Sequence, residues 1–373
     1  RTCKSALRSG FILERSGRKQ RFDDTLLVVV LILVGIGLVL LYSTSAYNGR
    51  VKFHDSFYYL KKQGFATLLG LLGMTVVARI DYHKWIPLAV PGYLAAIFLS
   101  VAVMLFGDEY NGSKRWLHFG PVSFQPSEFA KVAVILFLAC LVSRNVKRMG
   151  RFSTLVLMIL PILPVVALVG ASNLSTAIII LGIAVVLIFT ASPKYSQFIW
   201  MGTVAVAFMA VFLAMESYRL ERLAIWRNPE EYEKGYQTLQ GLYAIGSGGL
   251  FGRGLGNSVQ KLGFLPEAQN DMIFSIICEE LGLVGACIII LLFLILIWRF
   301  FVIATRAKDL LGALIAGGAM AHMMIQVILN IAVVTNTIPN TGITLPFISY
   351  GGTSVVFLLL EMGLVLSVSS LIE

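Results

Sequence analysis

The chain has 373 residues, of which 57% are hydrophobic and only 13% charged, with a formal net charge of +10. Ordinary soluble chains carry about 25% charged residues, so a soluble fold, which would have to hide this much apolar surface, is excluded. The positive balance does not indicate nucleic acid, because the basic residues gather at the ends of apolar runs rather than along one amphipathic face.

A helix crosses the roughly 30 Å hydrocarbon core with about 20 apolar residues. Ten such runs are readable, at about 25–44, 57–78, 86–106, 127–143, 154–171, 174–190, 197–215, 271–298, 310–334 and 352–370, with nine or eleven spans still open. The expected fold class is therefore all-α, a polytopic membrane helix bundle in a single domain over 1–373. Residues 1–24 form a basic N-terminal segment with Arg15, Arg18, Lys19 and Arg21. A cleaved signal peptide is the less favoured reading of the first run, which is long for one and is followed by nine more runs. The fifth and sixth runs are separated only by Ala171-Ser172-Asn173, which makes either a tight hairpin or one broken element.

Loops after even-numbered runs carry Arg79, Lys84, Arg144, Lys147, Arg148, Arg151, Lys194, Arg299, Arg306 and Lys308. The positive-inside rule then places both termini in the cytoplasm. Arg50, Lys52, Lys61, Lys62, Lys114 and Arg115 are exceptions on the outer side, where they are available to an anionic ligand. The one long loop, 216–270, also falls outside, and loops of that length in compact domains are usually functional. Its glycine-rich stretch, Gly246 to Gly256, matches neither a P-loop nor a dinucleotide fingerprint. Cys3, Cys140, Cys278 and Cys287 are scattered without metal-ligand spacing and read as packing residues.

Ionisable groups inside spans cost on the order of 2.5–3.5 kcal/mol each on insertion scales, so they face a cavity or a partner. Glu128 and Lys131, at i, i+3 spacing, either neutralise each other or turn Lys131 toward an anionic substrate. Asp271 stands where the long loop enters the eighth run, directly after Asn270, and is either a first-turn acid complementing the helix dipole or a catalytic carboxylate. Glu279 and Glu280 lie about 12–14 Å deeper along that helix and are expected to be structural, paired with a basic group or hydroxyl. Glu361 stands alone in the tenth run. His322, Gln326 and Asn330 form a stripe on one face of the ninth. Arg219, Arg222, Arg253 and Lys261, with Lys114 and Arg115, together suit a pyrophosphate. Residues 336–354 break regular helix with two prolines and three glycines, as a re-entrant wall of a site does. Ser349 is a candidate substrate contact there, and Gly351 and Gly352 are structural.

Several stretches resemble the SEDS family (shape, elongation, division and sporulation), the FtsW, RodA and SpoVE proteins. They are Asn111-Gly112-Ser113-Lys114-Arg115-Trp116, Gln125-Pro126-Ser127-Glu128-Phe129-Ala130-Lys131, Gly256-Asn257-Ser258-Val259-Gln260-Lys261-Leu262, Leu265-Pro266-Glu267-Ala268-Gln269-Asn270-Asp271, Glu279-Glu280-Leu281-Gly282 and Leu345-Pro346-Phe347-Ile348-Ser349-Tyr350-Gly351-Gly352. The third resembles the division branch more than RodA. This resemblance implies a ten-helix peptidoglycan glycosyltransferase of the bacterial cytoplasmic membrane that polymerises lipid II on the outer face and releases undecaprenyl pyrophosphate. It implies a cognate class B penicillin-binding protein as partner, among other divisome or wall-synthesis membrane proteins, and it matches Asp271 to the family's essential acid. No cofactor is assigned, and a divalent cation, Mg or Mn, would be the one compatible with a pyrophosphate. Asn173 departs from the pattern, since many members carry an acid in a Pro-Asp-Leu-Gly-Thr-like segment where this chain reads Ser172-Asn173-Leu174-Ser175-Thr176. The competing readings are a flippase for the same lipid and a noncatalytic scaffold for the transpeptidase. Alternating access calls for midplane groups and repeat symmetry, and no repeat is found.

Overall fold

The computed structural model describes residues 22–110, 113–119, 122–194, 199, 202–203, 206–207 and 224–372. The basic residues Arg15 to Arg21, most of the seventh run, and Arg219 and Arg222 lie outside the described residues. Among the described residues, eight helical stretches are long and apolar enough to cross a membrane. They contain α1 Asp24–Phe53, α3 Ala89–Phe106, α4 Pro126–Asn145, α5 Phe152–Ile159 with α6 Leu163–Ser172, α7 Leu174–Ala191, α9 Ile273–Arg306, α10 Leu310–Val334 and α11 Gly352–Ser369. Helix α2, Tyr58–Arg79, takes the place of the second run and packs along α11.

Local chemistry sets the helix ends. Side-chain caps from Asp23, Asn173 and Asp309 accept the backbone N–H groups of Leu26, Thr176 and Gly312, satisfying first-turn donors that have no helical partner. The fifth run is interrupted between α5 and α6 around Pro161, which has no N–H to continue a helix. Asn173 alone separates α6 from α7, and the two helices pack on each other as a tight hairpin.

Hydrogen bonds between termini define the two ends of the bundle. At one end Asp23 pairs with Arg299, and its N–H donates to Ser369 Oγ at 3.2 Å. Tyr82 donates to Asp309 there at 2.9 Å. At the other end Asn48 donates to Gln269 at 3.0 Å, and Gln63 donates to the Ser349 carbonyl at 3.3 Å. Asp271 belongs to this second end. The segment 108–124, expected only as a loop, forms a small antiparallel sheet here, with β1 Asp108–Tyr110, β2 Ser113–Phe119 and β3 Val122–Phe124 in that order.

The segment 216–270 is not all loop. Helix α8, Tyr236–Gly248, packs on α9, and the glycine-rich turn after it inserts beside a break in α9 at Gly282, where φ is 66° and ψ −168°. The turn's backbone replaces the helical hydrogen bonds lost at the break. The N–H groups of Arg253 and Gly254 donate to the carbonyls of Glu279 and Glu280, both at 2.9 Å, and those of Leu283 and Val284 donate to Gly249 and Leu250 at 2.9 and 3.1 Å. Gly282 lies nine residues into α9, about 14 Å along its axis, so this turn reaches well below the helix's first residue. A side chain at Gly282 would collide with the Gly252 nitrogen and the Leu250 carbonyl in a conformation tolerated essentially by glycine alone. Gly282→Ala is therefore expected to cost about 3 kcal/mol or more, read as a fall in the thermal midpoint of detergent-purified protein on the order of 5 °C or more. An unchanged midpoint would show that the turn is not latched to α9.

Candidate active site

Asp271 lies two residues before α9, at the junction of four segments. The helix begins at Ile273 with no side-chain cap, and Asn270 donates its amide to Glu267 instead. The reading of Asp271 as a first-turn acid after an Asn270 cap is therefore corrected, because the helix begins two residues later than the sequence suggested. Asp271 is 8% exposed, and its Oδ1 is buried with no hydrogen-bond partner among the described residues. Burial pushes its pKa from 3.8 up to about 7, against the lowering pull of the Asp271 and Met272 backbone N–H groups and the Arg115 guanidinium, with nearby Glu267 adding to the rise.

Arg115 reaches the site from β2. Side chains alternate faces along a strand, so Arg115 is half-buried inward while its neighbour Lys114 is exposed on the other face. The pair expected to act together is thus divided, and Arg115 alone approaches Asp271. Its Nε donates to the Ser172 carbonyl at 3.0 Å, tying the strand to the end of α6. Gly342 completes the junction. A Cβ placed there would lie 3.8 Å from both Arg115 Nη1 and Asp271 Oδ2, so the acid and the cation flank one glycine. Ser175 donates to the Thr341 carbonyl at 3.2 Å, which brings the start of α7 to the same wall. Asn173 caps α7 beside it rather than supplying a charge.

The segment 336–354 folds back among the helices as an irregular wall. Ser349 is buried, accepts the Leu345 N–H at 2.8 Å and closes a turn, which is the role the structure gives it. The turn packs so closely on α1 that a side chain at Gly37 would strike the Phe347 carbonyl. The N–H of Gly351 donates to Gln63 at 3.2 Å, and Gly352 opens α11 against Ala66.

One step deeper runs a buried polar chain. Lys131 pairs with Glu128 at 2.9 Å and donates to Gln326 Oε1 at 2.9 Å, while Glu128 accepts from Ser354 at 2.7 Å. His322 Nε2 lies 2.9 Å from the same Gln326 oxygen and its Nδ1 lies 2.8 Å from Glu361 Oε2. Gln326 donates its amide to the Thr344 carbonyl at 3.1 Å, which fixes which of its atoms is the oxygen. His322 Nε2 is then the donor to that oxygen. The stripe on the ninth run, read as polar with no assigned task, is the spine of this chain.

Glu279 and Glu280 are bound by residues of the inserted turn and of α1. Glu279 accepts from Ser258 and from the N–H of Val259 at 3.0 Å, with Arg253 at 3.5 Å. Glu280 pairs with Lys261 at 2.6 Å and accepts from Ser43 at 2.7 Å. Lys261 is itself buried, so its ammonium lies within the bundle on Glu280. Among the described residues, no group of three or more His, Cys, Asp or Glu is placed to hold a metal ion.

Comparison with known proteins extends over most of the chain. The FtsW/RodA/SpoVE family model, described as "Cell cycle protein", matches residues 24–372. Stage V sporulation protein E of Bacillus subtilis (strain 168) is 39% identical over 94% of this chain and 98% of its own length. The probable peptidoglycan glycosyltransferase FtsW of Geobacter sp. (strain M18) is 35% identical over 95% and 98%. Among solved structures, a chain of a peptidoglycan synthase complex that coordinates polymerization and crosslinking superposes with a TM-score of 0.79 at 29% identity, covering 94% of this chain and 98% of that one. The rod shape determining protein RodA of Thermus thermophilus gives 0.69 at 28%, covering 93% and 96%. With a model match from the first described helix to the last, and with the acid, the strand cation and the re-entrant wall brought to one junction, the chain belongs to the FtsW/RodA/SpoVE cell cycle protein family.

Proposed function

We propose that this membrane protein is a peptidoglycan glycosyltransferase that polymerises lipid II at the outer face of the bacterial cytoplasmic membrane, with Asp271 as general base. One observation carries the role of Asp271: a buried carboxylate with an unpartnered oxygen and a pKa of about 7 stands beside a cation at the mouth of the bundle. A base is most effective when its pKa lies near the working pH, since it must be ionised yet able to hold a proton. Asp271 takes the proton from the acceptor sugar hydroxyl, whose oxygen forms the new bond to the donor's anomeric carbon. The bond from that carbon to the undecaprenyl pyrophosphate breaks, and the negative charge on the leaving group is met by Arg115, with Arg219 and Arg222 as further candidates. The cation-rich loop ends opposite Asp271 support a topology with both termini in the cytoplasm. Cell division or a related wall-building process is the setting, and a class B penicillin-binding protein is the partner. A flippase or scaffold would have no use for a base poised at the rim.

The test is the rate of glycan polymerisation by protein reconstituted with its transpeptidase partner and lipid II, measured from pH 5.5 to 9. The rate is expected to rise with pH through an acid limb centred near 7, because only ionised Asp271 accepts the proton. A flat profile across that range, or lipid II movement between leaflets without polymer, would overturn the assignment.

A further inference from the structure

We infer that Asn330 is a positioning residue for this reaction, holding the Asp271 main chain and the 341–344 wall at one fixed separation. The inference rests on the reading of Asp271 as the base. Asn330 is fully buried on α10, and its Nδ2 donates both hydrogens, one to the Asp271 carbonyl at 2.9 Å and one to the Ile343 carbonyl at 2.6 Å. A carboxamide has two such donors and here both are spent on the two sides of the site.

Those carbonyls belong to irregular backbone, where no helix or sheet ladder settles their position, and buried carbonyls need a partner. Gly342 precedes Ile343, and around Gly342 Arg115 and Asp271 approach each other. Where Ile343 is pinned relative to Asp271 therefore sets the gap between base and cation. Gln326, one turn along the same helix face, anchors the wall again through the Thr344 carbonyl at 3.1 Å. Gln326 holds only the wall, whereas Asn330 spans wall and base. The Oδ1 of Asn330 is buried and has no partner among the described residues, so its donors, and not its acceptor, fix its orientation.

A core asparagine with a purely structural role would change stability and leave the chemistry of the folded fraction alone. The experiment compares wild type, Asn330→Ala and Asn330→Asp, each reconstituted with the partner transpeptidase and lipid II. It records kcat and KM per folded protein, the pH profile and the thermal midpoint. Asn330→Ala is expected to lower kcat about 10- to 100-fold with KM within about threefold, as loss of an orienting neighbour does. Asn330→Asp keeps the shape, loses both donors and adds a like charge beside Asp271, so its acid limb is expected to move to higher pH. A folded Asn330→Asp protein with the wild-type kcat and an unmoved acid limb overturns the inference. Loss of folded protein in both variants overturns it too, since that would make Asn330 a residue of the fold at large. If wild type itself lacks the acid limb, the reading of Asp271 fails instead, and the two failures are told apart.

Discussion

Asp271→Asn protein is expected to fold, insert and bind its partner, yet to make glycan strands about 10²- to 10⁴-fold more slowly than wild type. General-base catalysis contributes typically 10²–10⁴-fold, and Asn cannot accept the proton. The same change is expected to stabilise the fold. The carboxyl moves from 3.8 to about 7 on burial, so the folded state holds the proton more tightly than the unfolded state does. The folded protein therefore loses stability as pH rises from about 4 to 7, and above 7 the full cost of a buried charge is present. Asn removes that cost, on the order of a few kcal/mol at about 1.4 kcal/mol per pH unit. The thermal midpoint of Asp271→Asn should exceed that of wild type at pH 8, and the two should converge near pH 4. Polymer at the wild-type rate would remove Asp271 from the mechanism, and a lower midpoint at pH 8 would contradict the cost assigned to burying its charge.

Lys261→Met is expected to be among the most damaging single changes to the fold. Glu280 is completely buried and Lys261 is the cation on it at 2.6 Å. Removing one member of a buried pair costs about 3–5 kcal/mol, because the other charge is left without compensation. The double variant Lys261→Met/Glu280→Gln removes both charges and should recover most of the lost thermal midpoint. Its polymerisation rate then separates two roles. A recovered fold with recovered polymer makes Lys261 a residue of the latch between the inserted turn and α9. A recovered fold without polymer returns it to the set of pyrophosphate ligands.

Much of this was legible in the chain, and the physical reason differs from feature to feature. Membrane spans depend on local composition, so apart from the broken fifth run the apolar runs correspond to helices where the residues are described. Prolines and glycines in 336–354 act locally too, which is why an irregular wall was readable there. The broken fifth run was less clear, since Pro161 can kink a helix or end one, and packing against neighbours decides which. Lys114 and Arg115 looked equivalent, because their separation onto opposite faces follows from a strand that short loop residues did not announce.

Composition and loop charge by themselves established a polytopic membrane protein with most of its loop cations at one end, and the ordered motifs established its kinship. Those properties rest on transfer free energies and on residues close together in sequence. Only the tertiary structure decided that Lys261 belongs to Glu280, that Arg115 rather than Lys114 faces Asp271, and that Asn330 joins the base to the opposite wall. Each of those depends on which distant segments share a buried space, where an unpaired charge or carbonyl is costly enough to select one partner from several.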